Sequence, residues 1–229
     1  MPVFDTRHHA AGVIAARPER IAKAPGLESG RHRLGIGTKR DGLLLIPEGL
    51  RAGPAPLIVA LHGAGGVAGQ MLDFLERPAE AHGAVVLSPE SRGRTWDVIL
   101  GGFGPDVAFI EQALDDVFRR CPIDPERIAV AGFSDGASYA LSLGLTNGGL
   151  FSDVLTFSPG FMAPGRPSGS PRVFISHGVS DTVLPIERCS RRLVPALDNA
   201  GYDVEYHEFE GGHIVPADMI DRAMERFSG

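Results

Sequence analysis

Residues 128–144 read IAVAGFSDGASYALSLG, an apolar run that ends in Gly132-Phe133-Ser134-Asp135-Gly136 and passes into a helix-compatible stretch. The first half is rich in Val, Ile and Ala without polar alternation, which predicts a strand buried on both faces. The second half predicts a helix beginning near Gly136. Ser134 stands at the join, where two readings compete. Ser and Asp cap helix N-termini by accepting backbone N–H bonds. A serine flanked by small residues on a sharp strand-to-helix turn also exposes its hydroxyl as a nucleophile.

Working outward, the same kind of apolar run recurs in PLIVALHG (56–63), GAVVLSPE (83–90), DVLTFSPG (153–160) and RVFISHG (172–178), and a last strand is expected in VEYHEFEGGH (204–213). Between the runs lie candidate helices over 67–81, 105–120, 136–147, 186–200 and 215–227. Pro78 inside the first of these predicts a break or kink at Arg77. The second opens with Pro and Asp and sets Val107, Ile110, Leu114, Val117 and Phe118 on one face. Upstream, RHRLGIG and GLLLIPEG read as a hairpin. Strand–helix alternation of this kind predicts an α/β fold, a mostly parallel central sheet with helices on both faces. The whole of 1–229 reads as one domain, with residues 1–30 an irregular arm that is mobile or lies at an edge. The segment FMAPGRPSGSP (161–171) is short and dominated by Gly and Pro, which leaves no room for a large lid.

Composition narrows the function classes. The chain has 43% hydrophobic and 22% charged residues and a net charge of −6. Its Lys and Arg residues are scattered, so there is no basic footprint for nucleic acid or an anionic membrane. No apolar segment is long enough to span a bilayer, and the N-terminus does not read as a secretory signal, so a cytoplasmic location is expected. Cys121 and Cys189 are far apart and have no metal-ligand spacing; both are expected as part-buried reduced thiols.

In an open parallel sheet, functional groups gather where the strands end at their carboxyl side. Four runs end in chemistry there: His62-Gly63-Ala64-Gly65-Gly66, Ser134, Asp181 and His213. A serine needs a base to take its proton and a third group to orient that base. Ser134, Asp181 and His213 follow in the order Ser…Asp…His, each just after a predicted strand, which favours nucleophile over cap. The bland alternatives are a turn role for Asp181 and a loop role for His213. His62 and His177 read as hydrogen-bonding supports for their loops, and their spacing with His213 matches no zinc motif. GAGG lacks the remaining residues of a phosphate-binding loop. Trp96, Phe103, Phe161 and Met162 fall on or near the same edge as candidate pocket residues, with burial in the core the equal alternative.

In LHGAGG, GFSDGASYALSLGL, SHGVSDTVLP and FEGGH the chain resembles the α/β-hydrolase family, of the carboxylesterase, phospholipase and acyl-protein-thioesterase type, from about residue 32 to 227. ESRGRTWDVI (90–99) resembles small bacterial esterases, including relatives of polyhydroxybutyrate depolymerases and feruloyl esterases. The resemblance implies Ser134 as nucleophile, His213 as base, Asp181 as orienting acid, and an oxyanion hole from the backbone N–H groups of Ala64 and Asp135. It implies hydrolysis of small-molecule carboxylic esters of short to medium acyl length, with no cofactor and no metal. Thioesters, lactones and peptides stay open to the same triad, as does a non-catalytic ligand-binding role for the fold. The Asp135 carboxylate would oppose negative charge if it faced the oxyanion, so it is expected to turn toward helix N–H groups or a neighbouring loop.

Overall fold

A computed structural model describes residues 7–18, 28–37, 39–50 and 53–229. Its frame is an eight-stranded sheet of β1 (Gly30–Arg33), β2 (Gly42–Ile46), β3 (Ala55–Leu61), β4 (Val85–Pro89), β5 (Ile123–Phe133), β6 (Asp153–Phe157), β7 (Arg172–Gly178) and β8 (Val204–Phe209). The order is β1-β2-β4-β3-β5-β6-β7-β8. β1 and β2 form the expected hairpin, and β2 meets β4 antiparallel. Every other pairing is parallel.

The continuous apolar runs are explained by cover on both faces. Leu57, Val59 and Leu61 of β3 join one core with Val85, Leu87, Val130 and Ile175; their neighbours Ile58 and Ala60 join a second with Val86, Ala131 and Phe174. Period-two alternation thus feeds two apolar layers instead of one apolar and one wet face. The first layer is closed by α3 (Pro105–Arg120), α4 (Asp135–Thr146) and α5 (Ser190–Asn199), the second by α2 (Ala68–His82) and α6 (Ala217–Ser228). The five residues expected on the inner face of α3 are all buried.

Three local expectations are corrected. α2 runs through Pro78 without a break, with Met71, Leu72 and Leu75 buried before it and Ala79 after it. An interior proline costs about 3 kcal/mol, whereas burying the Met and two Leu side chains contributes about 1.5–3 kcal/mol each. Packing therefore prevails over local propensity. β5 begins at Ile123, earlier than the apolar run, because Ala55 already pairs there. α5 starts at Ser190, since residues 186–189 are spent in turns.

The expected irregular arm falls partly on residues 1–6 and 19–27, outside the described residues. The described part lies in the fold. After the short helix α1 (Arg7–Ala10), Ile14 is fully buried, its N–H donates to Asn147 Oδ1 at 2.8 Å, and Asn147 Nδ2 donates to Gly12 O at 2.7 Å. Asn147, one residue past α4, is the side chain that converts an arm into a docked segment.

The turn carrying Ser134 is packed backbone to backbone. A Cβ on Gly132 would lie 2.2 Å from Gly136 O, and one on Gly136 would lie 2.1 Å from Leu61 O. We expect Gly136→Ala to destabilise the protein by about 2–3 kcal/mol through overpacking, lowering Tm by roughly 5–10 °C at this chain length. An unchanged thermal melt would contradict this close approach.

Candidate active site

Ser134 has φ 58° and ψ −121°, a left-handed conformation that a residue with a Cβ adopts only under constraint. The constraint is local: its N–H donates to Phe157 O at 3.0 Å while Ala137 and Ser138 N–H groups converge on its carbonyl. By backbone position Ser134 is the N-cap of α4, yet its side chain makes no capping bond. The hydroxyl instead meets His213 Nε2 at 2.8 Å, and His213 Nδ1 lies 2.6 Å from Asp181 Oδ2. The three residues form one hydrogen-bonded line.

Asp181 is fixed from its other oxygen. Oδ1 accepts the N–H groups of Val183 (2.9 Å) and Leu184 (2.8 Å). Burial works to raise its pKa, but those N–H groups and the His213 imidazole outweigh it and hold the carboxyl below its usual range. The loops bearing Asp181 and His213 touch through their backbones. A Cβ on Gly178 would stand 2.3 Å from Gly212 O, and Ser180 N–H donates to Gly211 O at 2.9 Å. His177 braces the same loop. Nε2–H donates to Leu184 O at 2.8 Å, and Nδ1 accepts from Ser190 Oγ at 2.7 Å. Burial depresses its pKa, leaving it neutral in that tautomer.

On the other side of Ser134 lies the His62–Gly66 loop. His62 is fully buried; Nδ1–H donates to Gly63 O at 2.7 Å while Nε2 accepts the Ser91 N–H at 3.0 Å. Burial, aided by the nearby Arg40 charge, lowers its pKa. Arg40 adds a donor to Gly66 O at 2.8 Å. Trp96 Nε1 donates to His62 O at 2.7 Å, with its ring stacked on Tyr139 at 5.0 Å. The sequence reading missed Arg40 altogether, since a lone arginine in a polar turn carries no pattern. Asp135 opens α4, so its N–H has no partner within the helix. Its carboxylate accepts the Thr95 hydroxyl at 2.6 Å, turned to a neighbouring loop as expected.

That neighbouring loop is clasped to α3 by two aspartates. Asp106 Oδ2 accepts the Asp97 N–H at 2.7 Å, Asp97 Oδ2 accepts the Asp106 N–H at 2.8 Å, and the Arg92 N–H donates to Asp106 Oδ1. Burial, with Asp97 adding to it, pushes the Asp106 carboxyl up to about 6. The folded state then holds this proton more tightly than the unfolded chain. Its contribution to stability is therefore full below about pH 4 and lost as pH rises through about 6. Urea unfolding of wild type and Asp106→Asn should show the stability advantage of wild type shrinking by up to about 3 kcal/mol across that window; a pH-independent difference would refute the assignment.

A cavity of about 410 Å³ opens beside Ser134, lined by His62, Gly63, Ala64, Gln70, Met71, Phe74, Phe133, Val183 and His213 together with the serine. Phe133 lies 4.7 Å from the His213 ring and meets Phe74 edge-on at 6.4 Å. None of the four expected pocket residues lines this cavity. Trp96 is fully buried, and Phe103, Phe161 and Met162 pack against the core on the α3/α4 side. The 160–165 segment is fastened along α4, where Ser138, Ser142 and Thr146 hydroxyls accept the N–H groups of Gly160, Ala163 and Gly165 at 2.9, 2.9 and 3.0 Å. This ladder fixes the backbone that carries Phe161 and Met162.

The chain matches the phospholipase/carboxylesterase family over residues 97–227. It is 29% identical over 185 residues to the probable feruloyl esterase C of Aspergillus niger, covering 76% of this chain and 66% of that protein. It is 34% identical over 109 residues to acyl-protein thioesterase 1 of Gibberella zeae, covering 43% and 46%. The chain thus spans about half to two thirds of the length of these relatives. The Bacillus cereus carboxylesterase structure superposes with a TM-score of 0.64 at 22% identity, over 82% of this chain and 93% of that one. The fold is that of the α/β hydrolases, and the chain belongs to the phospholipase/carboxylesterase family.

Proposed function

We propose that this protein is a serine hydrolase that cleaves small carboxylic esters of short to medium acyl length by way of an acyl-enzyme. The observation that carries the reading is the continuous line from Asp181 through His213 to a Ser134 hydroxyl that faces an apolar cavity. His213 Nδ1–H donates to Asp181, so Nε2 presents its lone pair to the serine. As Ser134 Oγ attacks the ester carbonyl carbon, Nε2 takes the hydroxyl proton. The backbone N–H groups of Ala64 and Asp135 receive the oxyanion, helped by the positive end of α4. His213 then gives its proton to the departing alkoxide. In the second half it takes a proton from water, whose oxygen attacks the acyl carbon, and it returns that proton to Ser134 Oγ as the acyl–oxygen bond breaks, releasing the acid.

The His62 loop serves this chemistry by position. Its carbonyl bond to Trp96 and its ring bonds to Gly63 and Ser91 hold the Gly63-Ala64 backbone beside Ser134. Met71, Phe74, Phe133 and Val183 supply an apolar acyl site. The thioesterase relative makes acyl thioesters a second substrate class to test. A cytoplasmic location accords with two free, buried cysteines, and no described helix is long and apolar enough to cross a membrane.

Stopped-flow hydrolysis of p-nitrophenyl esters from acetate to decanoate, run beside acyl thioesters, tests the proposal. A burst of p-nitrophenol equal to the enzyme concentration is expected, followed by slower deacylation. No turnover on any member of either series would reject it.

A further inference from the structure

The geometry points to a divalent-cation site of the zinc class, formed by His8, His9 and Glu111, that fastens the N-terminal arm to α3. Glu111 sits on the outward side of α3. Its Oε2 accepts the Ala15 N–H at 2.6 Å, which leaves Oε1 aimed at both histidines. His8 Nε2 is hydrogen-bonded to that oxygen at 3.3 Å, and His9 Nε2 lies 3.4 Å from it. The three ligand atoms are all within 4.8 Å of one another.

These spacings suit ligands around a shared metal. Tetrahedral bonds of about 2.0–2.1 Å set ligand atoms about 3.3 Å apart. Around an ion such atoms point at a common centre, so a ligand atom at this distance need not be hydrogen-bonded to its neighbour. His9 fits that description: its Nε2 stands at ion-pair distance from Glu111, yet both of its ring nitrogens are buried without a hydrogen-bond partner. A buried polar group left in this way is destabilising unless something else satisfies it. The two imidazoles lie with ring centroids 3.9 Å apart. Both rings therefore compete for one carboxylate oxygen, a poor arrangement for two hydrogen bonds and a good one for chelation.

Glu111 is ready to serve as an anionic ligand. Its Oε2 is occupied by the Ala15 N–H, so Oε1 is the oxygen left to bind an ion. Two imidazoles with one carboxylate is a donor set for Zn²⁺, and next for Ni²⁺ or Cu²⁺; Mg²⁺ and Ca²⁺ prefer oxygen alone. The histidine side chains are 33% and 13% exposed and that of Glu111 16%, so an ion has access from solvent. None of the three lines the cavity at Ser134. The ion's role here is to join α1 to α3, upstream of the Asn147 bonds that hold Gly12 and Ile14.

The test is calorimetric titration of the chelator-stripped full chain with zinc sulfate, alongside thermal melts. Wild type should bind one zinc per chain and melt at a higher temperature with zinc present. His9→Ala and Glu111→Gln should each weaken binding at least about tenfold and abolish the zinc-dependent rise. Glu111→Gln keeps an oxygen for the Ala15 N–H, so it decides the matter if His9→Ala does not fold. Ester hydrolysis in metal-free buffer should be unchanged in both variants. Absence of saturable zinc binding by wild type would overturn the proposal, as would equal affinity in Glu111→Gln, which would place the zinc elsewhere.

Discussion

Ser134→Ala should lower kcat on p-nitrophenyl butyrate by about 10⁴–10⁶-fold while the protein stays folded. The upper figure is what loss of a nucleophile costs in an intact triad enzyme, where the members act as a unit. The variant keeps the φ 58° backbone, because Ser134 is held there by backbone bonds to Phe157 and to the first turn of α4, and not by its hydroxyl. The hydroxyl bonds only toward His213 among the described contacts of that side chain. Stability should therefore change by less than about 1 kcal/mol, and relief of strain at a left-handed residue is not expected, since alanine has a Cβ as well. Retention of more than about one tenth of wild-type activity would remove Ser134 as the nucleophile and with it the acyl-enzyme.

Asp181→Asn is the sharper probe, because it preserves shape while it removes the carboxylate charge and changes the hydrogen bonding at His213. In the wild-type protein Oδ1 accepts two N–H groups, from Val183 and Leu184, and Oδ2 accepts Nδ1–H of His213. An asparagine has one oxygen and one NH₂. The two backbone donors demand the oxygen at the Oδ1 position, which forces the NH₂ toward His213 Nδ1. The imidazole must then accept at Nδ1 and carry its proton on Nε2, facing Ser134. In that tautomer it has no lone pair to take the serine proton. A loss of about 10⁴-fold in kcat is expected with KM little altered, the size found when an orienting aspartate is made an amide in a serine protease. A mild effect, below about tenfold, would show that Asp181 does not orient His213 during turnover. Recovery of rate at high pH, where hydroxide can replace the missing base, would support the tautomer argument.

Much of the fold was legible because its signals are local. Unbroken Val/Ile/Leu runs separated by 3.6-period segments specify strands covered on both faces and the helices that cover them, and the five inner residues of α3 could be named from spacing alone. The Gly-Phe-Ser-Asp-Gly turn was legible for the same reason, as small residues at a strand–helix junction imply a tight turn. Placing Ser134, Asp181 and His213 at strand ends relied on one topological rule, that carboxyl ends of parallel strands share an edge. Other features had no local signature. Pro78 broke the expected pattern of α2 and was overruled by the face the helix buries. Trp96 and Phe161 were apolar residues near the correct edge, but period and hydropathy do not say on which side of the sheet a loop will pack.

The sequence by itself determined the layered α/β architecture, the strand-to-helix turn and the chain order of Ser134, Asp181 and His213 at strand ends, because each depends on neighbours a few residues away or on chain order. Only the tertiary structure decided what surrounds those side chains. The apolar wall of the cavity comes from Met71 and Phe74 on α2, Phe133 beside the serine and Val183 after Asp181. The loop opposite Ser134 is held by Arg40, Ser91 and Trp96. Gly12 and Ile14 are docked by Asn147. The residues of each group come from separate stretches of the chain. Their meeting is set by how two apolar layers close over the sheet and by which buried polar groups must find partners, and neither constraint is written in any single stretch of residues.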